Sequence, residues 1–126
     1  FLEKINVLVC TVPLTPKTRG MLSYELFCKL INPTYLVNVS RGAVHVEKDI
    51  IRAIKEGKLT GAFLDVFEKE PLPNDSPLWK HPKIKITPHI ASLTYAAESI
   101  RQALENFKRV QSGENPLNEV RRENMY

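Results

Sequence analysis

The stretch YLVNVSRG, residues 35–42, decides how this chain is read. Its first five residues are apolar or β-favouring at all but one position, which is the composition and length of an ordinary strand. Ser40, Arg41 and Gly42 follow at once, so a permanent cation stands where the strand ends, beside a residue that permits close backbone approach. The same grammar recurs on both sides. Upstream, residues 6–10 (NVLVC) form a first strand that runs into a segment with prolines at 13 and 16, where regular pairing cannot continue. Met21, Leu22, Leu26, Leu30 and Ile31 then recur near helical spacing and predict a helix over 21–31, stopped by Asn32-Pro33.

Downstream, residues 47–56 predict a helix with Ile50, Ile51 and Ile54 on one face, and Gly57 supplies its C-terminal stop. Residues 61–66 (GAFLDV) are nearly all apolar, as expected for a strand covered on both faces. A proline-rich loop leads to a fourth strand over 84–87, and a last helix over 92–112 carries Ile100, Leu104, Phe107 and Val110 as its expected buried stripe. Short strands alternating with amphipathic helices predict an α/β fold with a parallel sheet and crossover helices. The chain starts almost directly in a buried-looking strand and without Met, so a Rossmann-type sheet truncated at its N-terminal side is expected. Such truncation would leave an unpaired edge near residues 6–10.

With 126 residues, 43% of them hydrophobic, the chain has material for one real core and is not a disordered tail. Its net charge of +4 is scattered without aromatic interleaving, which argues against nucleic-acid binding. No run approaches the roughly 18 apolar residues of a membrane span. Cys10 and Cys28 lack metal or redox spacing and read as small core residues in a reducing cytoplasm. No metal site is expected, because no pair of ligand-type residues has ligand spacing on one element.

In open parallel sheets ligands bind beyond the carboxyl ends of the strands, so residues far apart in the chain converge there. Arg41 follows the second strand, Asp65 closes the third, Glu70 lies in the loop after it and His89 follows the fourth. Arg41 suits a carboxylate. His89 can give or take a proton near neutral pH, and Glu70 beside it would orient the ring and favour its protonated form. Asp65 ends so apolar a strand that it needs a donor, and a bound amide would supply one. A Ser40-His89-Asp65 hydrolase triad is conceivable from residue types, but there is no G-x-S-x-G elbow. His45 and His81 read as structural or exposed.

Four segments now stand in order: Val12-Pro13-Leu14-Thr15-Pro16 with Thr18, then Asn38-Val39-Ser40-Arg41-Gly42, then LDVFEKEPLP at 64–73, then Thr87-Pro88-His89-Ile90-Ala91. Together they resemble the C-terminal half of the NAD(P)-dependent D-isomer-specific 2-hydroxyacid dehydrogenases, over nearly the whole chain. RGAVHVEKDI and PLPNDSPLWKHPKIKITPHIA are most similar to the glyoxylate/hydroxypyruvate reductase branch. The resemblance implies hydride transfer from NAD(P)H to a small 2-keto acid, with NADP favoured over NAD. It implies Arg41 as the carboxylate holder, His89 as the proton donor and Glu70 as the partner of His89. It places Val12, Pro13, Val39, Ser40, Arg41, Asp65, His89, Ala91 and Ser92 around the nicotinamide and its ribose.

No G-x-G-x-x-G follows any strand, so the phosphate-binding half and most of the substrate domain are expected upstream, and the chain alone is expected to be inactive. Residues 1–112 are then the C-terminal half of the NAD(P)-binding domain, and residues 113–126 a tail returning toward the substrate domain. A homodimer is expected of the full-length enzyme. The competing reading, also from the resemblance, is a dinucleotide-sensing regulatory or corepressor protein on the same fold.

Overall fold

The computed structural model describes residues 2–120. Four strands form one parallel sheet in the order of the sequence: β1 (Val7–Cys10), β2 (Thr34–Asn38), β3 (Leu59–Leu64) and β4 (Ile84–Ile86). Helix α1 (Tyr24–Phe27) lies between β1 and β2, and α2 (Glu47–Lys55) between β2 and β3. The chain forms two compact units, residues 1–91 with the sheet and residues 92–126 with helix α3 (Ala96–Gln111).

Register explains the core of the first unit. Leu8, Leu36, Ala62 and Ile84 stand side by side across the sheet, and Cys10, Asn38, Leu64 and Ile86 form the next same-face row. The first row is wholly buried, and Ile50, Ala53 and Ile54 of α2 join the same core. The alternate rows point to the other face, where Val7, Val9, Tyr35 and Phe63 are exposed. The expectation that β3 is covered on both faces is therefore corrected. Within this unit the sheet is covered on one side only, and Phe63 at 49% exposure marks the open one.

The predicted helix over 21–31 is also corrected, to the single turn Tyr24–Phe27. Tertiary pairing overrides its first residues: Leu22 N–H donates to the Val44 carbonyl, and Val46 N–H donates to the Leu22 carbonyl. After Phe27 the turns tighten, with Lys29 bonding to Leu26 and Leu30 to Phe27. Phe27 is a fully buried large side chain of the core, and Cys28, expected in the core, is exposed.

Helix α2 matches its expected span and ends as Gly57 implied. Gly57 has φ +73°, Lys58 N–H bonds the Ala53 carbonyl at 2.8 Å and Gly57 N–H bonds that of Ile54, which is a Schellman closure. In the same last turn, the Arg52 guanidinium stacks over the Tyr24 ring at 3.6 Å and ties α2 to α1.

Helix α3 starts at Ala96, four residues later than expected, with Tyr95 extended before it. Its stripe of Ile100, Leu104, Phe107 and Val110 is regular, but all four residues are exposed, which corrects the expectation of burial. Among the described residues, nothing in the second unit covers that face. The segment after Gly113 folds back on the helix instead: Leu117 N–H and carbonyl both bond the Asn106 side chain, and Arg109 bonds the Asn115 carbonyl. Residues 121–126 of the expected returning tail lie outside the described residues. No helix among those described is long and apolar enough to cross a membrane.

The open sheet face predicts concentration-dependent self-association of the 126-residue chain, because contiguous exposed apolar area favours any contact that covers it. Light scattering of the double variant Val9→Lys, Phe63→Lys, compared with the unsubstituted chain, should show the association weakened; a concentration-independent monomer in both would contradict the expectation.

Candidate active site

Parallel strands bring all four post-strand segments to one edge. After β1, Thr18 ties a turn on itself. Its hydroxyl donates to the Pro13 carbonyl at 2.7 Å and accepts from Thr15 N–H at 2.8 Å, which fixes the backbone around Pro13. Nothing but the Thr-Pro-x-Thr spacing could have suggested this role from sequence.

After β2, Arg41 has extended backbone and precedes a short 3-10 turn, Gly42–Val44. Gly42 is required by packing. A Cβ there would lie 1.8 Å from the Phe67 carbonyl carbon, because the segment leaving β3 crosses directly over it. The turn that carries Arg41 is thus locked against the segment that leads to Glu70. Arg41 donates to the Ser40 carbonyl at 2.7 Å and, among the described residues, forms no ion pair with a carboxylate. Its charge is available to an anion.

After β3, buried Asp65 accepts three hydrogen bonds. Oδ1 takes the Thr87 hydroxyl and Ile90 N–H at 2.9 Å, and Oδ2 takes Ala91 N–H at 2.9 Å. Burial raises its carboxyl, but these donors outweigh that effect and hold it below the ordinary value. The donors that sequence alone left to a bound amide are therefore supplied largely by the protein, and they flank His89 on both sides.

His89 has φ +56°, a left-handed backbone that is costly for a side chain of this size. Two carboxylates hold it there. Asp65 pins residues 87, 90 and 91, and Glu70 Oε2 accepts from His89 Nδ1 at 2.7 Å. Glu70 is itself oriented through Oε1, which accepts Phe67 N–H at 2.9 Å. The hydrogen bond from His89 holds the Glu70 carboxyl below its ordinary value, against the opposing effect of burial. With Nδ1 engaged, Nε2 is the ring nitrogen left for chemistry. A cleft of about 550 Å³ opens beside the pair, lined by Phe67, Leu72, Trp79 and Pro88 among others.

The structure thus joins His89 to Glu70 and to Asp65, and locks the Arg41 turn to the Phe67 segment. It forms no hydrogen bond between Arg41 and the His89–Glu70 pair. Ser40 cannot serve a hydrolase triad, since its hydroxyl is buried and engaged by Asn38 and Cys10. His45 is buried and His81 accepts Lys83 N–H, both structural arrangements. Of the expected cofactor-facing residues, Pro13, Val39, Ala91 and Ser92 are exposed, and Val12 is half-buried.

The model for the NAD binding domain of D-isomer specific 2-hydroxyacid dehydrogenases matches residues 1–91. This chain belongs to that family. It is 43% identical over 122 residues to a glyoxylate/hydroxypyruvate reductase A of Escherichia fergusonii, covering 97% of this chain and 39% of that protein. Among solved structures, it superposes with a TM-score of 0.94 on the NADPH-dependent glyoxylate/hydroxypyruvate reductase of Sinorhizobium meliloti in complex with NADP and sulfate. That protein is 35% identical, and the match covers 100% of this chain and 42% of the other. A D-isomer specific 2-hydroxyacid dehydrogenase of Xanthobacter autotrophicus, in complex with NADPH and MES, gives a TM-score of 0.92 at 40% identity, over 96% and 50% of the two chains. The chain spans half or less of the length of each of these relatives.

The Glu70 geometry makes a prediction about the 126-residue chain itself. Because Glu70 is held below its ordinary value, its ion pair contributes to stability above the ordinary carboxylate range and is lost as pH falls through the depressed value. Carbon-13 NMR of the Glu70 side chain should show a midpoint below 4.5, rising in His89→Ala; a midpoint unmoved by that substitution would contradict the pairing.

Proposed function

We propose that this chain is the C-terminal part of the nucleotide-binding domain of a reductase that acts on small 2-keto acids such as glyoxylate or hydroxypyruvate. One observation carries the reading: a histidine forced into a left-handed backbone, with one ring nitrogen held by a carboxylate at 2.7 Å, at the same sheet edge as an arginine with no carboxylate partner among the described residues. That is a proton donor and an anion holder on one rigid scaffold, which is what reduction of a keto acid requires of a protein. Family membership and likeness to a glyoxylate/hydroxypyruvate reductase support the same assignment.

In this reading Arg41 binds the substrate carboxylate and polarises the keto oxygen. His89 delivers a proton from Nε2 to that oxygen, and Glu70 keeps the ring oriented through Nδ1. A bound NAD(P)H supplies the hydride. The residues present fit that cofactor: Oδ2 of Asp65 accepts only one hydrogen bond and retains a lone pair for an amide, and exposed Val39 offers an apolar surface at the strand end. NADP is favoured, in keeping with the solved relatives that carry NADP or NADPH. The segment after α3 leads toward the substrate domain of the longer enzyme, which works as a homodimer in the cytoplasm.

The test is 2-keto acid reduction by the full-length protein containing this sequence. Arg41→Ala and His89→Ala should each lower kcat/KM for glyoxylate or hydroxypyruvate by ~100-fold or more, the scale of a lost acid catalyst. If neither variant loses activity, the enzymatic reading is wrong and a dinucleotide-sensing role takes its place.

A further inference from the structure

Directly beneath Arg41 lies a buried polar cluster that the proposed chemistry does not use. Asn38, the last residue of β2, is fully buried and makes four hydrogen bonds with its side chain. Two partners fix the direction of the amide without ambiguity. Ser40 N–H only donates, so the atom facing it at 3.0 Å is Oδ1; the Arg41 carbonyl only accepts, so the atom facing it at 3.2 Å is Nδ2. The other two bonds follow. His45 Nδ1, 2.8 Å from Nδ2, must accept, and Ser40 Oγ, 2.9 Å from Oδ1, must donate. Ser40 Oγ has then given its proton away, so the Cys10 thiol at 3.2 Å donates to it.

The result is one directional chain across three segments: Cys10 on β1 to Ser40, Ser40 to Asn38, and Asn38 to both His45 and the Arg41 carbonyl. It exists because the register sets Cys10 opposite Asn38. Each donor and acceptor of Asn38 is used, so its rotamer has no equivalent alternative. The backbone on both sides of the Arg41 Cα is held by one side chain, through Ser40 N–H before it and the Arg41 carbonyl after it. His45 acts at a cost. Its Nε2 is the one buried side-chain nitrogen or oxygen among those described with no partner, although the accepting role of Nδ1 obliges Nε2 to carry the proton. Burial lowers this ring to about 4, which keeps it neutral and Nδ1 free to accept at ordinary pH.

We propose that Asn38 is a positioning residue for Arg41, and that His45 sets the Asn38 amide that does the positioning. The inference rests on the reductase reading, because its readout is the Arg41-dependent part of keto acid reduction.

A double-substitution cycle in the full-length protein tests it. Asn38→Leu should lower kcat/KM for the keto acid by ~30-fold while the KM for NADPH stays within about twofold, and should cost less than about threefold when Arg41 is already Ala. Equal losses in both backgrounds would overturn the positioning role and leave the reductase reading standing. Absence of keto acid reduction in the unsubstituted protein would remove both. Should Asn38→Leu fail to fold, the His45 pair decides: His45→Leu removes the acceptor and should lower kcat/KM ~10-fold, whereas His45→Gln, which can accept from Nδ2, should restore most of it. Equal activity of the two variants would overturn the proposal.

Discussion

The candidate site depends first on the carboxylate of Asp65. It sits buried where β3 ends and accepts from the Thr87 hydroxyl, Ile90 N–H and Ala91 N–H, so one side chain closes the chain around His89 from both sides. A left-handed histidine is a strained element, and strain persists only where surrounding contacts over-determine it. Asp65 holds the backbone and Glu70 holds the ring. Glu70 is in turn oriented by Phe67 N–H, and the Phe67 backbone lies against Gly42. The Arg41 turn, the Glu70 loop and the His89 turn are therefore one packed assembly at the sheet edge rather than three independent loops.

The division of labour between the two carboxylates follows from their surroundings. Asp65 is buried and takes three short-range donors from the protein, so its charge is spent largely on structure. Glu70 is partly exposed and paired with a titratable ring, so its charge is coupled to a proton. The same logic separates the two histidines of the edge. His45, buried and only accepting, stays neutral and serves geometry, whereas His89, half-exposed with Nδ1 bonded to a carboxylate, is placed to exchange a proton.

Much of this was legible in the sequence. Short apolar runs marked the four strands to within two or three residues, and their parallel arrangement put Arg41, Asp65 and His89 at one edge before any contact was known. The parts that were not legible depend on long-range pairing. Residues 21–22 have helical spacing, but the Leu22 backbone pairs with Val44 and Val46, and Met21 N–H bonds the Thr18 carbonyl. The stripe of α3 and the second face of β3 have core composition, yet each is exposed within its own unit, since apolar spacing says which residues share a face and not what covers it. Asn38 looked like one polar residue inside a strand. Its meaning comes from Cys10 standing opposite it and His45 arriving seven residues later, neither of which has a sequence signature.

The central claim is that His89 is held through Nδ1 by Glu70 so that Nε2 is the nitrogen offered to a substrate. Nitrogen-15 NMR of the His89 ring tests this directly, because the neutral imidazole carries its proton on one nitrogen or the other. The account predicts that in the neutral ring the proton resides on Nδ1 and faces Glu70, and that this preference is lost in Glu70→Gln. A neutral ring protonated on Nε2, unchanged by that substitution, would contradict it.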